Sequence, residues 1–277
     1  MRTLRQPGPV HPKRIDSIGG DARKVVFTVK AGVTLLDGVT GPLAASGFGA
    51  ACVRFAEARV DPFRYVRPAR AADASHVAYF SSVFAPAGTT RIEQARGTFG
   101  WNGGAPFLHC HAAWIEPGGQ RRGGHILNGE TTLVAPVEVE AWGFDHPRID
   151  TAKDPETNFT LLQPSGPAKT GGNAILARIR PNEDIVSAIE AVAASHGVRD
   201  ALVAGSVGSL VGTRFTDGRE VFDDATEVLI THGHVDGGEA MIDAISVDMS
   251  GFVHEGRLMR GGNAVCITFD LVLIQPG

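Results

Sequence analysis

The sequence predicts an α+β protein built from two copies of one domain, and three observations carry that reading. Its 277 residues, 43% hydrophobic and 20% charged, exceed the roughly 100–200 residues of a usual single domain. Weak similarity recurs in the same order in both halves: "LAASGFGAACVRF" (43–55) with "VAASHGVRDALVAG" (192–205), "TTRIEQARGTFG" (89–100) with "ATEVLITHGHVD" (225–236), and "GGHILNGETTLVAPVEVEAWGF" (123–144) with "EGRLMRGGNAVCITFDLVLI" (255–274). In each half helical spacing comes early and strand-like runs come late, which is the grouping of an α+β layer rather than of alternating βαβ units.

Taken in order, residues 1–19 are basic and rich in Pro and Gly, have no apolar run of the kind a secretory signal requires, and read as an irregular leader. A first domain is expected over 20–146. Its helix falls at 33–46, where Leu35 or Leu36, Val39 and Leu43 share a face and Gly47 can end it; an apolar run, "AACVRF", follows as a buried strand. Strands are expected for most of the rest. "DHPRIDTAKDPETNFTLLQPSGPAKTGGN" (145–173) is dense in Pro, Gly, Thr and Asp without sustained periodicity, so 147–170 reads as a linker and 171–277 as the second domain. That domain opens with the clearest helix of the chain, "PNEDIVSAIEAVAASHG": Asn182 or a neighbour caps it, acids occupy its first turn, Ile185, Ile189 and Val192 share a face, and Gly197 closes it. His196, in its last turn, suits the helix dipole better than a ligand role.

Composition excludes several function classes. With 26 basic against 30 acidic residues, the formal charge is −4, so no global basic field draws the chain to nucleic acid or to an anionic membrane. No stretch of about 18 apolar residues occurs, and no membrane span is expected. Cys52, Cys110 and Cys266 are widely spaced in apolar surroundings, which suits reduced core thiols and a cytoplasmic location. "AGSVG" (204–208) misses the nucleophile-elbow pattern by one residue and is followed by a strand-like run, so Ser206 reads as a turn residue; no phosphate-cradling glycine pattern occurs.

What remains is "APFLHCHAAWIEPGGQRRGGHILNG" (105–129), which holds His109, His111 and His125. Ten histidines in a chain of this length give roughly 0.4 H-x-H pairs by chance. Two occur, the second being His232 and His234, so spacing alone is weak. Context adds to it. In an extended strand residues two apart project from one face, so His109 and His111 can aim at one point while Cys110 faces away, and a Gly-rich return brings His125 alongside. Three neutral imidazoles with an open position suit Zn²⁺ or another divalent first-row metal; the alternative is three half-buried polar residues on a solvated sheet face.

The stretch "FLHCHAAWIEPGGQRRGGHILNGETTLVAPVEVEAW" resembles the core of the PPC domain, the plants and prokaryotes conserved domain, whose pattern has alternate-strand histidines, a loop, a Gly-Gly-His and a final strand with a Glu. "LARIRPNEDIVSAIEAVAASHGVRDALVAGSVGSL" (176–210) resembles its amino-terminal half. The resemblance implies two tandem copies, each a mixed, largely antiparallel sheet with one main helix, self-association with trimers favoured, and a zinc ion on His109, His111 and His125. In the second copy Arg257 takes the place of His125 and "MIDAISVDM" has no histidine, so its metal site is expected to be lost, leaving Asp243, His254, Glu255, His232 and His234 as surface polarity or an unrelated site.

Three neutral ligands leave the full charge of a metal in place, which favours a small anionic ligand in the open position and a lowered pKa of bound water. Arg121 and Arg122 are candidates to orient such a ligand by forked hydrogen bonds. Glu116 and Glu130 are candidate general bases or partners of a ligand imidazole, and Glu138 is the candidate buried partner behind the ligands. The residues are compatible with a metal-dependent lyase or hydrolase and equally with a binding protein. The other reading, a DNA-binding, regulatory or assembly role, comes from plant relatives that carry AT-hooks. The Arg-Gly-Arg-Pro core of an AT-hook is absent, so DNA is not an expected partner.

Overall fold

The computed structural model describes residues 1–276, and it contains two large sheets that share one core strand order, beside two small two-stranded sheets. The first domain comprises β2 (Ala22–Val29), α1 (Leu35–Ala45), β3 (Ala50–Val60), β4 (Thr90–Asn102), β5 (Ala105–Ile115), β6 (Arg121–Ile126) and β7 (Val137–Phe144), following an opening strand β1 (Ile15–Gly20). After β8 (Arg148–Lys153) and β9 (Thr160–Ser165), the second comprises β10 (Ala174–Ile179), α2 (Ile185–Ser195), β11 (Ala201–Leu210), β12 (Thr226–Asp236), β13 (Glu239–Val247), β14 (Val253–Arg257) and β15 (Val265–Ile274). The first sheet runs β2-β7-β3-β4-β5-β6 and the second β10-β15-β11-β12-β13-β14, all neighbours antiparallel. A single parallel bridge, Asp150 to Trp101, joins β8 to β4 and makes the first sheet mixed.

Each helix is set by its cap and its apolar stripe. Thr34 accepts from the Asp37 amide at 3.0 Å and starts α1, whose Leu35, Val39 and Leu43 are buried against the first sheet. Asp184, rather than Asn182, caps α2 by accepting from the Ser187 amide at 2.9 Å; the acids expected in the first turn lie at and before the cap instead. Gly197 adopts φ +69°, the left-handed conformation that ends a helix there.

Strand parity then decides which side chains meet the other domain. On β5, Leu108, Cys110, Ala112 and Trp114 pack with α1, while Phe107 and Ala113 belong to clusters shared with the second domain. On β12, Val228 and Ile230 face α2 and Leu229 faces the first domain; on β15, Phe269 and Leu271 face α2 while Val272 faces across. The two sheets therefore pack back to back, each with its helix on the outer face. His109, His111, Glu227 and Asp270 all fall on the inner faces by the same alternation.

Two sequence expectations need correction. The leader (1–19) is not wholly irregular: β1 pairs antiparallel with β10, Ile15 opposite Ile179, so the amino-terminal strand closes the edge of the second domain's sheet. The linker (147–170) likewise forms the β8–β9 hairpin, with Arg148 opposite Ser165. Pro164 and the Pro- and Gly-rich flanks hide this pairing from a compositional reading, because β9 lies at an edge where proline is tolerated. Between the two strands the turn places Asp154, 1% exposed, beneath the second sheet. Its Oδ1 accepts the Glu156 and Thr157 amides, both at 3.0 Å, and its Oδ2 accepts from Arg178 at 2.6 Å and Arg180 at 2.8 Å. Burial opposes ionisation of Asp154, but the two guanidiniums overcome it and hold the carboxyl at about 2.

Candidate metal centre

The register of the first sheet builds the centre directly. Thr98 lies opposite His109 and Arg96 opposite His111, and His111 lies opposite His125 on β6, so two neighbouring strands present three imidazoles on one face. One potential ligand atom from each lies within 4.8 Å of the others. Among the described residues this is the one cluster of His, Cys, Asp and Glu side chains so arranged.

Hydrogen bonding fixes which nitrogens converge. His109 Nδ1 donates to Asp270 Oδ2 at 2.8 Å and His111 Nδ1 donates to the Val228 carbonyl at 3.0 Å. With both Nδ1 positions protonated, neutral rings present lone pairs at Nε2, and the two Nε2 atoms stand 3.1 Å apart. Glu227 Oε2 adds a further acceptor 2.8 Å from His111 Nε2. Three acceptors this close are held together either by a shared proton or by a bound cation. Four-coordinate zinc with bonds of about 2.0–2.1 Å spaces its ligands by roughly 3.3 Å, close to the separation of the two Nε2 atoms. These residues therefore fit a divalent ion.

The electrostatics agree. Burial, then the charges of His109 and His111, lower His125 to about 3, so its ring is neutral at ordinary pH. Burial works against the charge on His111, but Glu227 and the Val228 carbonyl outweigh it and raise its pKa. Burial likewise opposes the Glu227 carboxylate, while His111 holds it below its usual range. Without a metal, a proton on His111 shared with Glu227 fills the gap.

Glu227 and Asp270, 7% and 1% exposed, both come from the second domain, so the centre lies at the joint between the copies. Sequence reading missed both. A signal for Asp270 existed: it is the lone acid in the apolar strand "VCITFDLVLI". Glu138 was the expected partner, yet it is exposed, opposite Thr28. Counted from the helix-ending glycines Gly47 and Gly197, Cys52 is the counterpart of Leu202; these face Trp142 and Ile274, which makes Glu138 the counterpart of Asp270. The acid that reaches His109 is therefore not Glu138 but its counterpart in the second domain.

The other candidates lie elsewhere. Arg121 is held by Glu93 at 2.7 Å and Glu255 at 3.1 Å, and Arg122 lies over the Phe252 ring at 4.6 Å; neither lines the cavity at the histidines. Glu116 accepts from the Tyr65 hydroxyl at 2.7 Å, and Glu130 is exposed in a short turn, Asn128–Glu130. In the second domain the register puts Met241, Asp243 and Arg257 at the places of His109, His111 and His125. Arg257 donates to both oxygens of Asp243, at 3.0 and 3.2 Å, so an ion pair occupies the equivalent face. His254 pairs with Asp248 at 2.8 Å, and His232 and His234 are exposed on β12.

A cavity of about 240 Å³ opens beside the three histidines. The Tyr79–Phe80 strand forms part of its mouth, and Phe80 lies 5.3 Å from the His125 ring, centroid to centroid. Among the described residues, no helix is long and apolar enough to cross a membrane.

No curated protein matches the chain. Among solved structures, a plant- and prokaryote-conserved protein from Pyrococcus horikoshii is 18% identical with a TM-score of 0.42, over 51% of this chain and 91% of that one. A metal-containing protein from Archaeoglobus fulgidus is 17% identical with a TM-score of 0.43, over 53% and 97%. A protein from Ralstonia eutropha described as a "Putative DNA-binding protein" is 17% identical with a TM-score of 0.36, over 52% and 96%. The family rests instead on sequence: its profile matches residues 17–145 and again 166–275, so the chain belongs to the Plants and Prokaryotes Conserved (PCC) domain family and carries that domain twice.

Proposed function

We propose that this protein is a metal-dependent small-molecule enzyme or binding protein whose centre is completed by its own second domain, with zinc on His109, His111 and His125. The observation that carries the reading is the convergence of His109 Nε2, His111 Nε2 and Glu227 Oε2 within 3.1 Å of one another along the chain of contacts, with both Nδ1 atoms already committed as donors. Neutral imidazoles at this spacing favour zinc over harder cations. A bound divalent ion supplies a Lewis acid able to polarise an oxygen donor or to lower the pKa of bound water, the chemistry of a hydrolase or lyase. Asp270 holds the His109 ring in the tautomer that presents Nε2, and the Val228 carbonyl does the same for His111. Glu227, beside His111 Nε2, is placed to hold or move a proton at the centre.

Two measurements test the parts. Asp270→Asn keeps the shape but loses the charged acceptor, and is expected to weaken metal affinity by about 10–100-fold, the usual effect of removing such a partner. A competition titration against a chromophoric chelator reads this, and unchanged affinity would remove Asp270 from the centre. The same titration against pH tests the proton on His111. Its pKa is raised above the ordinary 6.5, so the proton must leave before Nε2 can bind metal. Affinity is expected to be full at pH above the raised value and to fall by up to about tenfold per unit as pH drops below it. A flat profile between about pH 8 and pH 5.5 would contradict the assignment of that nitrogen.

Two of the similar solved structures, from Ralstonia eutropha and Bacteroides thetaiotaomicron, are each described as a "putative" DNA-binding protein, and the regulatory reading stands as the alternative. Charge argues against it: the net −4 is accompanied by an Arg121 paired with two acids, an Arg122 laid over an aromatic ring, and Arg178 and Arg180 buried on Asp154. Duplex binding is expected to be no tighter than roughly micromolar at physiological salt. Saturable nanomolar binding in a fluorescence titration at that salt would promote the regulatory reading over the metal-dependent one.

A further inference from the structure

The cavity beside the histidines gathers its ionisable side chains together and is otherwise walled largely by apolar side chains, with Thr160, Ser209 and Thr268 also in its lining. The ionisable cluster is deep: His111, Glu227 and Asp270 are 1%, 7% and 1% exposed. Its mouth is aromatic. Tyr79 and Phe80 are 47% and 40% exposed there, and Phe159 stacks on Tyr79 with centroids 5.5 Å apart. Parts of the chain far apart in sequence build the apolar walls: Tyr79 and Phe80 from the excursion between β3 and β4, Phe107 from β5, Phe159 and Leu161 from the segment between the domains, and Ala225 and Ile267 from the second domain. Solvent-facing aromatic side chains gathered round the mouth of a pocket, rather than scattered singly, are the mark of a surface kept for a ligand.

Charge narrows the ligand further. No lysine or arginine lines the cavity. Two buried carboxylates, Asp270 against His109 and Glu227 against His111, both at 2.8 Å, together cancel the charge of a divalent ion placed there. A doubly charged head such as a phosphate would enter without a compensating lysine or arginine, at a desolvation cost that no charged group in the walls offsets. Size sets the remaining limit. About 240 Å³ lies below the roughly 300–1,000 Å³ of sites for drug-sized ligands, while a cavity of roughly 150 Å³ already holds a benzene ring.

Resting on the metal-centre reading above, we infer that the ligand of this site is a small molecule with an apolar body about the size of one ring and an oxygen-donor head of at most one negative charge, and that phosphate monoesters are excluded. The head meets the histidine end while the body lies between Phe80, Phe107 and Phe159. This replaces the Arg-clamped anion that the sequence suggests with a ligand held mainly by burial of its apolar surface.

The test uses the full, zinc-loaded chain and four probes by calorimetry, with metal content measured on the same samples. Benzohydroxamate and acetohydroxamate share a head and differ in the ring; benzoate and phenyl phosphate share the ring and differ in charge. Benzohydroxamate is expected to bind at least about tenfold tighter than acetohydroxamate, the least that burying most of a ring should yield, and benzoate tighter than phenyl phosphate. Phe159→Ala, and separately Phe80→Ala, should shrink the hydroxamate ratio to within about threefold while metal content and acetohydroxamate affinity stay unchanged. Equal affinity of the two hydroxamates for metal-loaded protein, or tighter binding of phenyl phosphate than of benzoate, overturns this inference and leaves the metal reading standing. Failure to take up zinc at all overturns both.

Discussion

Asp154→Ala is expected to destabilise the protein by about 3–5 kcal/mol, the usual cost of removing one partner of a buried ion pair. The reason is what remains. Arg178 is fully buried, with its Nε donating to Thr268 Oγ1 at 3.0 Å, and the deleted carboxylate is its principal charge partner. Arg180 loses one of two acids and keeps Asp16 at 2.8 Å. The same substitution also frees the Glu156 and Thr157 amides that Asp154 caps. Asp154→Asn should cost less, because an amide oxygen can still accept those two bonds. Urea unfolding of both variants checks the order, and a loss under about 1 kcal/mol in the alanine variant would mean that solvent reaches the arginines on deletion. Acid should reproduce part of the effect. The Asp154 carboxyl is depressed to about 2, against an ordinary value near 3.8, so its contribution is full above about pH 5 and is lost as pH falls through about 2.

This network also shows why part of the architecture was hidden in the sequence. Asp154 sits in "DTAKDPETNF", a stretch with every compositional sign of a linker, and its partners Arg178 and Arg180 sit in "LARIRP", a strand that reads as ordinary. Only the docking of the β8–β9 hairpin on the second sheet joins them. The same holds for Phe159 and Leu161, which the linker reading leaves without a role and the structure places in the wall of the cavity.

What was legible depended on local geometry. His109 and His111 could be placed on one face because a strand alternates with period two, and His125 could be placed beside them because a Gly-rich turn returns the chain to the neighbouring strand. Both helices were visible for similar reasons, through the spacing of Leu35, Val39 and Leu43 and of Ile185, Ile189 and Val192. Glu227 and Asp270 were not, since they reach the histidines through the packing of one sheet against another and no spacing along the chain encodes it. The contacts of Arg121 and Arg122, candidates in the sequence for orienting an anion, were hidden on the same ground: they include Glu255 and Phe252 of the second domain.

His111→Ala carries the largest expected effect on the centre, and metal content measured in that variant tests the account most directly. His111 is the imidazole through which the others connect: its Nε2 faces His109 Nε2 at 3.1 Å and Glu227 Oε2 at 2.8 Å, and its strand position is paired with His125. Its removal leaves two histidines, too few for a closed three-nitrogen site, whereas Met241→Ala, on the equivalent face of the second domain, removes nothing the centre uses. Elemental analysis of protein purified without an affinity tag is expected to find about one equivalent of zinc in the wild-type chain, about one in Met241→Ala and less than about a tenth in His111→Ala, with all three folded by circular dichroism. Zinc at the wild-type level in His111→Ala, or none in the wild-type chain after incubation with zinc at neutral pH, would contradict the metal centre.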